Sequence, residues 1–383
     1  MIYLDTAATS FYKPMSVKRA VYNSLSCLTA NPGRSGHKPA QEIAEVVYDT
    51  RETLKQFFNA KNYNIVFTKN CTEALNLAIN GILKHGDHVI ATIYEHNSVL
   101  RTLERIKRKG VNVTILDCDM KDVSNEISKQ ITSKTKMVIT TYVSNVTGEI
   151  CDVSSVGKIC KENNIIYLVD GAQACGHVEI NLESDNIDLL TFSGHKGLLS
   201  LTGVGGLVIK NGLSVQPLIC GGTGTESENL VQPNDVPEGL ESGTLPTISI
   251  VSLNAGLNFL IKNFYKLQKK EEKISNYLKK SLKKLNFIKI YSKNTSNNVF
   301  LINVKNKDSS HVANVLNEKF NICVRSGLHC APLIHKRLGT LETGAVRISI
   351  DFNNSIQDIN RLIYALKMIY RERWSLVKVY KLY

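Results

Sequence analysis

The chain has 383 residues, 43% of them apolar and 21% charged, the composition of a folded globular protein with one or two domains rather than of a disordered or fibrous chain. No run approaches the ~18 consecutive apolar residues that a membrane span requires, and the opening Met1-Ile2-Tyr3-Leu4-Asp5 reads as structure rather than as a secretory leader. The nine Cys, at 27, 71, 118, 151, 160, 175, 220, 323 and 330, are scattered without a Cys-x-x-Cys pair. This excludes a zinc ribbon and offers no disulfide framework, so free thiols in a reducing cytoplasm are expected.

In chain order, short β-type runs alternate with helical patterns through the first two thirds. Strands are predicted at 64–67, 88–93, 111–116, 137–143, 165–169, 189–192 and 205–209, with helices over about 72–83 and 98–109. Such alternation predicts an α/β fold, a largely parallel sheet covered on both faces, whose active site gathers beyond the C-terminal strand ends. Gly and Pro thicken over 221–246, which predicts a long functional loop. Beyond it, helices are predicted near 247–261 and 265–285, strands at 298–304 and 344–350, and a helix over 356–371. The expected division is a large domain of residues 15–250 and a smaller α+β domain made of 1–14 and 251–383.

The net charge of +13 is concentrated between residues 262 and 293, where eleven Lys face only Glu271 and Glu272. Leu267, Ile274, Leu278, Leu282 and Leu285 recur there at helical spacing, so a solvated amphipathic helix accounts for the Lys run. No zinc-finger spacing or reader motif accompanies it, and no nucleic-acid partner is expected.

Five predicted strand ends each carry a polar group suited to one site. Thr191-Phe192-Ser193-Gly194-His195-Lys196 ends a strand on a Lys, and partial desolvation there makes an amine nucleophilic; an exposed Lys is the alternative. Asp170-Gly171-Ala172-Gln173 ends a buried strand on a carboxylate, which calls for a cationic partner or a capping role. A pyridinium nitrogen would be such a partner. Asn70-Cys71-Thr72-Glu73 opens a helix, either a phosphate cup or a plain cap. Glu95-His96 offers a ring that can stack and shuttle protons, and Ser144-Asn145-Val146-Thr147-Gly148 offers an amide. Phosphate-loop, dinucleotide and metalloprotease motifs do not occur, and no metal is expected.

The last third adds Arg325-Ser326-Gly327-Leu328-His329-Cys330-Ala331-Pro332. A Cys in a Gly/Pro-bounded loop beside an Arg and a His is the reactive candidate among the nine. Gly344-Ala345-Val346-Arg347-Ile348-Ser349 places an Arg inside a strand, where it needs a substrate carboxylate or a structural ion pair.

Taken together, Leu4-Asp5-Thr6-Ala7-Ala8, Asn31-Pro32-Gly33-Arg34-Ser35-Gly36-His37, Thr72-Glu73, Glu95-His96, the Ser-Asn-Val-Thr-Gly, Asp-Gly-Ala-Gln and Ser-Gly-His-Lys runs, Glu241-Ser242-Gly243-Thr244, the Cys330 loop and Val346-Arg347-Ile348-Ser349 follow one family's order. The sequence resembles the cysteine desulfurases of the class V aminotransferase family, with a Cys loop like that of the group shared with selenocysteine lyases. The resemblance implies the aspartate-aminotransferase-like fold of pyridoxal 5′-phosphate (PLP) enzymes and a homodimer. It implies that Lys196 carries the coenzyme, that Asp170 and Gln173 hold its ring, and that His96 stacks on it. Thr72, with the adjoining Cys71, Ser193 and His195 would bind the phosphate, and Gly243 and Thr244 would reach the phosphate of the partner subunit. Arg347 and Asn145 would hold the substrate carboxylate, and Arg325 would sit beside the catalytic Cys330.

L-cysteine would yield L-alanine and a persulfide on Cys330, passed to a sulfur-acceptor protein in iron–sulfur cluster assembly or another sulfur pathway of the cytoplasm. Selenocysteine lyase or another class V aminotransferase-type enzyme is the alternative. Asn70-Cys71 stands where small residues are usual, Asn97 stands where a second His often follows, and the tail 375–383 has no counterpart.

Overall fold

The computed structural model describes the chain except residues 28, 33–34, 227, 293–297 and 373–383 and the side chain of Cys27. Gly33 and Arg34 of the Asn-Pro-Gly-Arg run, the last Lys of the basic stretch and the 375–383 tail therefore lie outside the described residues.

In chain order the elements are β1 (Ile2–Tyr3), α1 (Met15–Cys27), α2 (Lys38–Phe57), β2 (Tyr63–Thr68), α3 (Cys71–Ile82), β3 (His88–Thr92), α4 (Asn97–Lys107) and β4 (Asn112–Leu116). There follow α5 (Val123–Gln130), β5 (Thr135–Thr141), α6 (Val153–Glu162), β6 (Ile166–Asp170), β7 (Leu189–Ser193) and β8 (Gly205–Lys210). The last third holds α7 (Thr247–Lys283), β9 (Ile288–Ile290), β10 (Val299–Val304), α8 (Ser309–Phe320), β11 (Ile322–Cys323), β12 (Arg325–Gly327), α9 (Pro332–Arg337), β13 (Ala345–Ser349) and α10 (Ile356–Arg371).

Seven strands form one sheet in the order β2-β8-β7-β6-β5-β3-β4. β8 runs antiparallel to both neighbours and the other pairs are parallel. The central strands β5, β6 and β7 are nearly continuous apolar runs because helices cover both faces of the sheet. Phe58, Phe192, Leu253 and Leu257 pack on one face, and Leu75, Ile79, Leu103 and Met137 on the other. This is the mixed, mostly parallel α/β architecture expected of the sequence.

The last third builds a four-stranded antiparallel sheet, β12-β13-β10-β9. Its core gathers Leu278, Leu282, Phe300, Leu316 and Leu362. β1 pairs in parallel with β11, which brings Leu4 into the same core. Between β8 and α7, a single 3-10 turn at Glu238–Leu240 is the only regular element among the described residues.

One expectation fails. The two helices predicted near 247–261 and 265–285 are a single 37-residue helix, α7. The residues between them, Lys262-Asn263-Phe264, contain no Gly or Pro to stop it. Asn263, the weakest helix former of the three, turns its side-chain amide back to the carbonyl of Phe259 at 2.8 Å. The early turns of α7 bury Ile250, Leu253, Leu257 and Leu260 against the large sheet's core, and its later turns bury Ile274, Leu278 and Leu282 in the second core.

Candidate active site

The parallel strands β3, β5, β6 and β7 all end on one edge of the large sheet, and each hands a polar group to the same cleft. Thr72, His96, Asn145, Asp170, Gln173, Ser193, His195 and Lys196 line it together. The N-terminus of α3 closes one end. Asn70 caps that helix by accepting the amide of Glu73 at 3.0 Å. The first residue of β8 must be Gly, because a Cβ on Gly205 would lie 2.6 Å from the carbonyl carbon of Asn70. That close approach presses the helix N-terminus, with its free amides, onto the cleft.

Asp170 is 4% exposed. Its Oδ1 accepts the amide of Ala172 at 2.9 Å and lies 3.4 Å from the Cys71 sulfur. Its Oδ2 has no hydrogen-bond partner among the described residues. Cys71 lines the cleft beside Thr72, with its sulfur 3.2 Å from Thr191 Oγ1. The Lys196 amine faces the cleft with no hydrogen-bond partner among the described residues. Burial is the main cause pulling its pKa below the ordinary lysine value; Asp170 opposes this, and Arg347 and Arg325 reinforce it. A lowered pKa eases loss of the proton, which covalent attachment to an aldehyde or proton abstraction requires.

His96 caps α4. Its Nδ1 accepts the amide of Ser98 at 3.1 Å and lies 2.7 Å from Ser98 Oγ, which in turn lies 2.8 Å from Thr72 Oγ1. This network assigns the remaining proton to Nε2. Burial is the main cause holding the imidazole below its ordinary pKa; Asp170 opposes it and Lys196, Arg325 and Arg347 reinforce it, so the ring is neutral at pH 7.

Behind it, Glu95 is fully buried: Oε1 accepts from Thr92 Oγ1 at 2.7 Å and from the Thr141 amide at 3.1 Å, while Oε2 has no partner. Burial pushes its carboxyl up to about 8. Glu95 ties the ends of β3 and β5 together, a link invisible in the sequence because Thr141 lies 46 residues away.

The N-terminal segment forms another wall. Gln173 donates one amide hydrogen to the carbonyl of Ala7 at 2.9 Å. The carbonyl of His195 accepts from the amide and hydroxyl of Ser10, at 3.0 and 2.8 Å, and from Thr9 Oγ1 at 3.1 Å. His195 Nδ1 lies 3.0 Å from Thr9 Oγ1. Burial and the adjacent Lys196 and Lys13 hold this imidazole down at about 4.

The Cys330 loop is fastened to the cleft by two contacts. The amide of Asn97 donates to the carbonyl of Cys330 at 2.7 Å, and Asn145 Nδ2 donates to the carbonyl of His329 at 2.7 Å. His329 and Cys330 both adopt left-handed backbone, φ 52° and 59°, a strained conformation for non-glycine residues that persists only where contacts impose it. Here the buried rings of His329 and His335 stack, with Nδ1 and Nε2 3.1 Å apart, and His335 Nδ1 lies 2.8 Å from Thr340 Oγ1. Cys330 does not line the Lys196 cleft but a neighbouring groove with Asn97, Leu100, Arg101, Leu328 and Leu333, and its sulfur lies 3.8 Å from Arg325 Nη2.

Arg325 and Arg347 are directly opposite on β12 and β13. Arg347 is 1% exposed, donates to Asp5 Oδ1 at 2.9 Å and to the carbonyl of Asn145 at 3.1 Å, and keeps a buried Nε without a partner. It therefore has the structural ion pair that the sequence left as an alternative, with its Nε–H still unpartnered. Two guanidiniums facing each other beside Lys196 concentrate positive charge that an incoming carboxylate would offset.

Gly243 and Thr244 are not brought to this cleft. Both are exposed, and Gly243 lines a separate groove with Tyr48, Thr223 and the half-buried Arg51–Glu241 pair, whose closest ion-pair atoms are 2.7 Å apart.

The donor set fits PLP: an unpartnered carboxylate oxygen at the floor, a free low-pKa amine, a neutral imidazole at the side and a helix N-terminus at the end. No group of three or more His, Cys, Asp or Glu side chains able to hold a metal occurs among the described residues.

The Aminotransferase class-V profile matches residues 2–362, and the chain belongs to the class V aminotransferase family. Within it, the chain is 32% identical over 381 residues to a probable cysteine desulfurase of Methanothermobacter thermautotrophicus, covering 96% of this chain and 94% of the relative. It is 34% identical to a probable cysteine desulfurase of Pyrococcus abyssi, again covering 96% and 94%. Among solved structures, the apo cysteine desulfurase of Thermococcus onnurineus NA1 superposes with a TM-score of 0.89 at 30% identity, covering 97% of this chain and 94% of that one.

Proposed function

We propose that the protein is a cysteine desulfurase that converts L-cysteine to L-alanine and carries the sulfur away on Cys330. The carrying observation is the position of Cys330, a thiol on a strained loop fastened by hydrogen bonds to Asn97 and Asn145, the neighbours of the Lys196 cleft. A simple transaminase has no use for a thiol there.

PLP, when bound, supplies an electron sink that lowers the cost of negative charge on the substrate's α-carbon. Asp170 would hold the ring nitrogen through its free Oδ2, and Gln173 would hold the phenolic oxygen through its second amide hydrogen. The α3 N-terminus at Cys71-Thr72, with Ser193 and His195, would hold the phosphate. His96 would lie against the ring. Arg347 and Asn145 would fix the substrate carboxylate, with Arg325 beside it.

Lys196, whose pKa burial lowers, would take the proton from the α-carbon. The Cys330 sulfur would then attack the substrate sulfur: an S–S bond forms, the carbon–sulfur bond breaks, and its electron pair stays with the carbon fragment. Proton return through Lys196 and His96 gives alanine. The overall balance is L-cysteine plus one enzyme thiol to L-alanine plus one enzyme persulfide.

The exposed Gly243 and Thr244, remote from their own chain's cleft, support completion of the site by a second copy in a homodimer. A sulfur-acceptor protein would collect the persulfide, in iron–sulfur cluster assembly or another sulfur pathway. The cysteines support a reducing, cytoplasmic setting, since the eight with described side chains are all free thiols. No helix among the described residues is long and apolar enough to cross a membrane. Incubating the PLP-loaded protein with L-cysteine and measuring alanine tests the reaction. Production of pyruvate, or of no product, overturns it.

A further inference from the structure

Asn70 and Cys71 stand side by side at the start of α3, and their side chains do different work. Asn70 caps α3. Cys71, the first residue of that helix, sends its sulfur toward Asp170 Oδ1 at 3.4 Å and Thr191 Oγ1 at 3.2 Å. All three side chains are buried, with Cys71 7%, Asp170 4% and Thr191 0% exposed.

A thiol has one hydrogen and can donate to one of these oxygens at a time. The carboxylate is the stronger acceptor, so the S–H points to Oδ1. The Thr191 hydroxyl is left to donate either to the sulfur or to the carbonyl of Val169, 3.5 Å away. Burial first, then Asp170, push the Cys71 thiol well above its ordinary pKa, so the hydrogen stays on sulfur. The missing side chain of Gly205 lets the backbone of Asn70 approach the sheet closely, which seats Cys71 against Asp170.

We infer that Cys71 is a positioning residue for Asp170: its thiol and the Ala172 amide together occupy Oδ1 and so hold the carboxylate with Oδ2 turned to the cleft. This role rests on the reading that Asp170 holds the coenzyme's ring nitrogen. Cys71 itself touches neither substrate nor reacting atoms.

The test uses the full-length, PLP-loaded protein and three variants: Cys71→Ala, Cys71→Val, which fills the space without a donor, and Cys71→Ser, which restores a donor. The readouts are the rate at which PLP leaves after dilution into coenzyme-free buffer and the pH titration of the visible band of the Lys196-bound coenzyme. Thermal melting checks folding.

The Ala and Val variants should release PLP about 3- to 10-fold faster, the scale of one modest hydrogen bond. Their titration midpoint should rise, because a less neutralised carboxylate favours the protonated, cationic form of the bound coenzyme. Cys71→Ser should lie within twofold of the unsubstituted protein. The role is overturned if a folded Cys71→Ala or Cys71→Val protein matches the unsubstituted one in both readouts, or if a folded Cys71→Ser protein is as impaired as they are. Failure of the unsubstituted protein to develop a visible band with PLP overturns the functional reading itself, and this role with it.

Discussion

Arg347 Nη2 lies 2.9 Å from Asp5 Oδ1, a pairing between the fifth residue of the chain and the middle of β13 that crosses 342 positions of sequence. The guanidinium is 1% exposed and its Nε has no partner. Breaking such a pair from one side leaves a buried charge, a loss on the order of 3–5 kcal/mol when fully buried. Asp5 is 19% exposed at its side chain, so water screens part of that loss.

Asp5→Asn should therefore lower the melting temperature by several degrees while the coenzyme band is kept. Arg347→Met should raise KM for L-cysteine by about 100-fold or more, the scale of a lost bidentate carboxylate contact. Steady-state kinetics with alanine detection checks this. A purely structural Arg347 would leave KM unchanged in whatever fraction of the variant remains folded.

Lys196→Ala should give a protein with no Lys-bound visible band and no alanine formation, a loss exceeding roughly a thousandfold, because one amine serves both attachment and proton transfer. Absorbance spectra and a turnover assay of the reconstituted variant check both consequences.

The His329–His335 pair predicts acid sensitivity. Burial holds His329 down at about 2 and His335 at about 4, against 6.5 when unfolded. The unfolded chain thus binds more protons below pH 6.5, and stability present above that pH is lost as pH falls toward 4. At pH 5 each ring contributes a loss on the order of 2 kcal/mol. Melting temperature should drop between pH 7 and pH 5, and His335→Gln should reduce that dependence.

Glu95 predicts the opposite slope. Its folded carboxyl titrates at about 8 against 4.5 unfolded, so the folded state binds the extra proton and stability declines as pH rises from 4.5 to 8. Glu95→Gln mimics the protonated form and should raise the melting temperature at pH 8 relative to pH 5. Activity at pH 7 should stay within about threefold, since the neutral side chain keeps its bonds to Thr92 and Thr141.

The large sheet and most of its site were legible because each cleft residue follows its own strand within a few positions. Asp170 ends β6, Lys196 follows β7, and the apolar runs that precede them are local signals. What was not legible depends on distant neighbours. Asp5 gives no local sign that it pairs with Arg347, and Thr340 gives none that it orders His335 and the Cys330 loop. The contact between Cys71 and Asp170 arises only when α3 is pressed onto the sheet. The single helix α7 reads as two in the sequence because Lys262-Asn263 interrupts the apolar spacing, and the back-bond from Asn263 to Phe259 that carries the helix through leaves no local sign.

The most direct measurement is to give the PLP-loaded protein L-cysteine without an acceptor, quantify alanine, and weigh the peptides that carry each cysteine. One alanine per active site, with one added sulfur atom on the Cys330 peptide and neither product in Cys330→Ala, is the predicted result. Alanine formed at the native rate by Cys330→Ala, or sulfur found on another cysteine in its place, would contradict it.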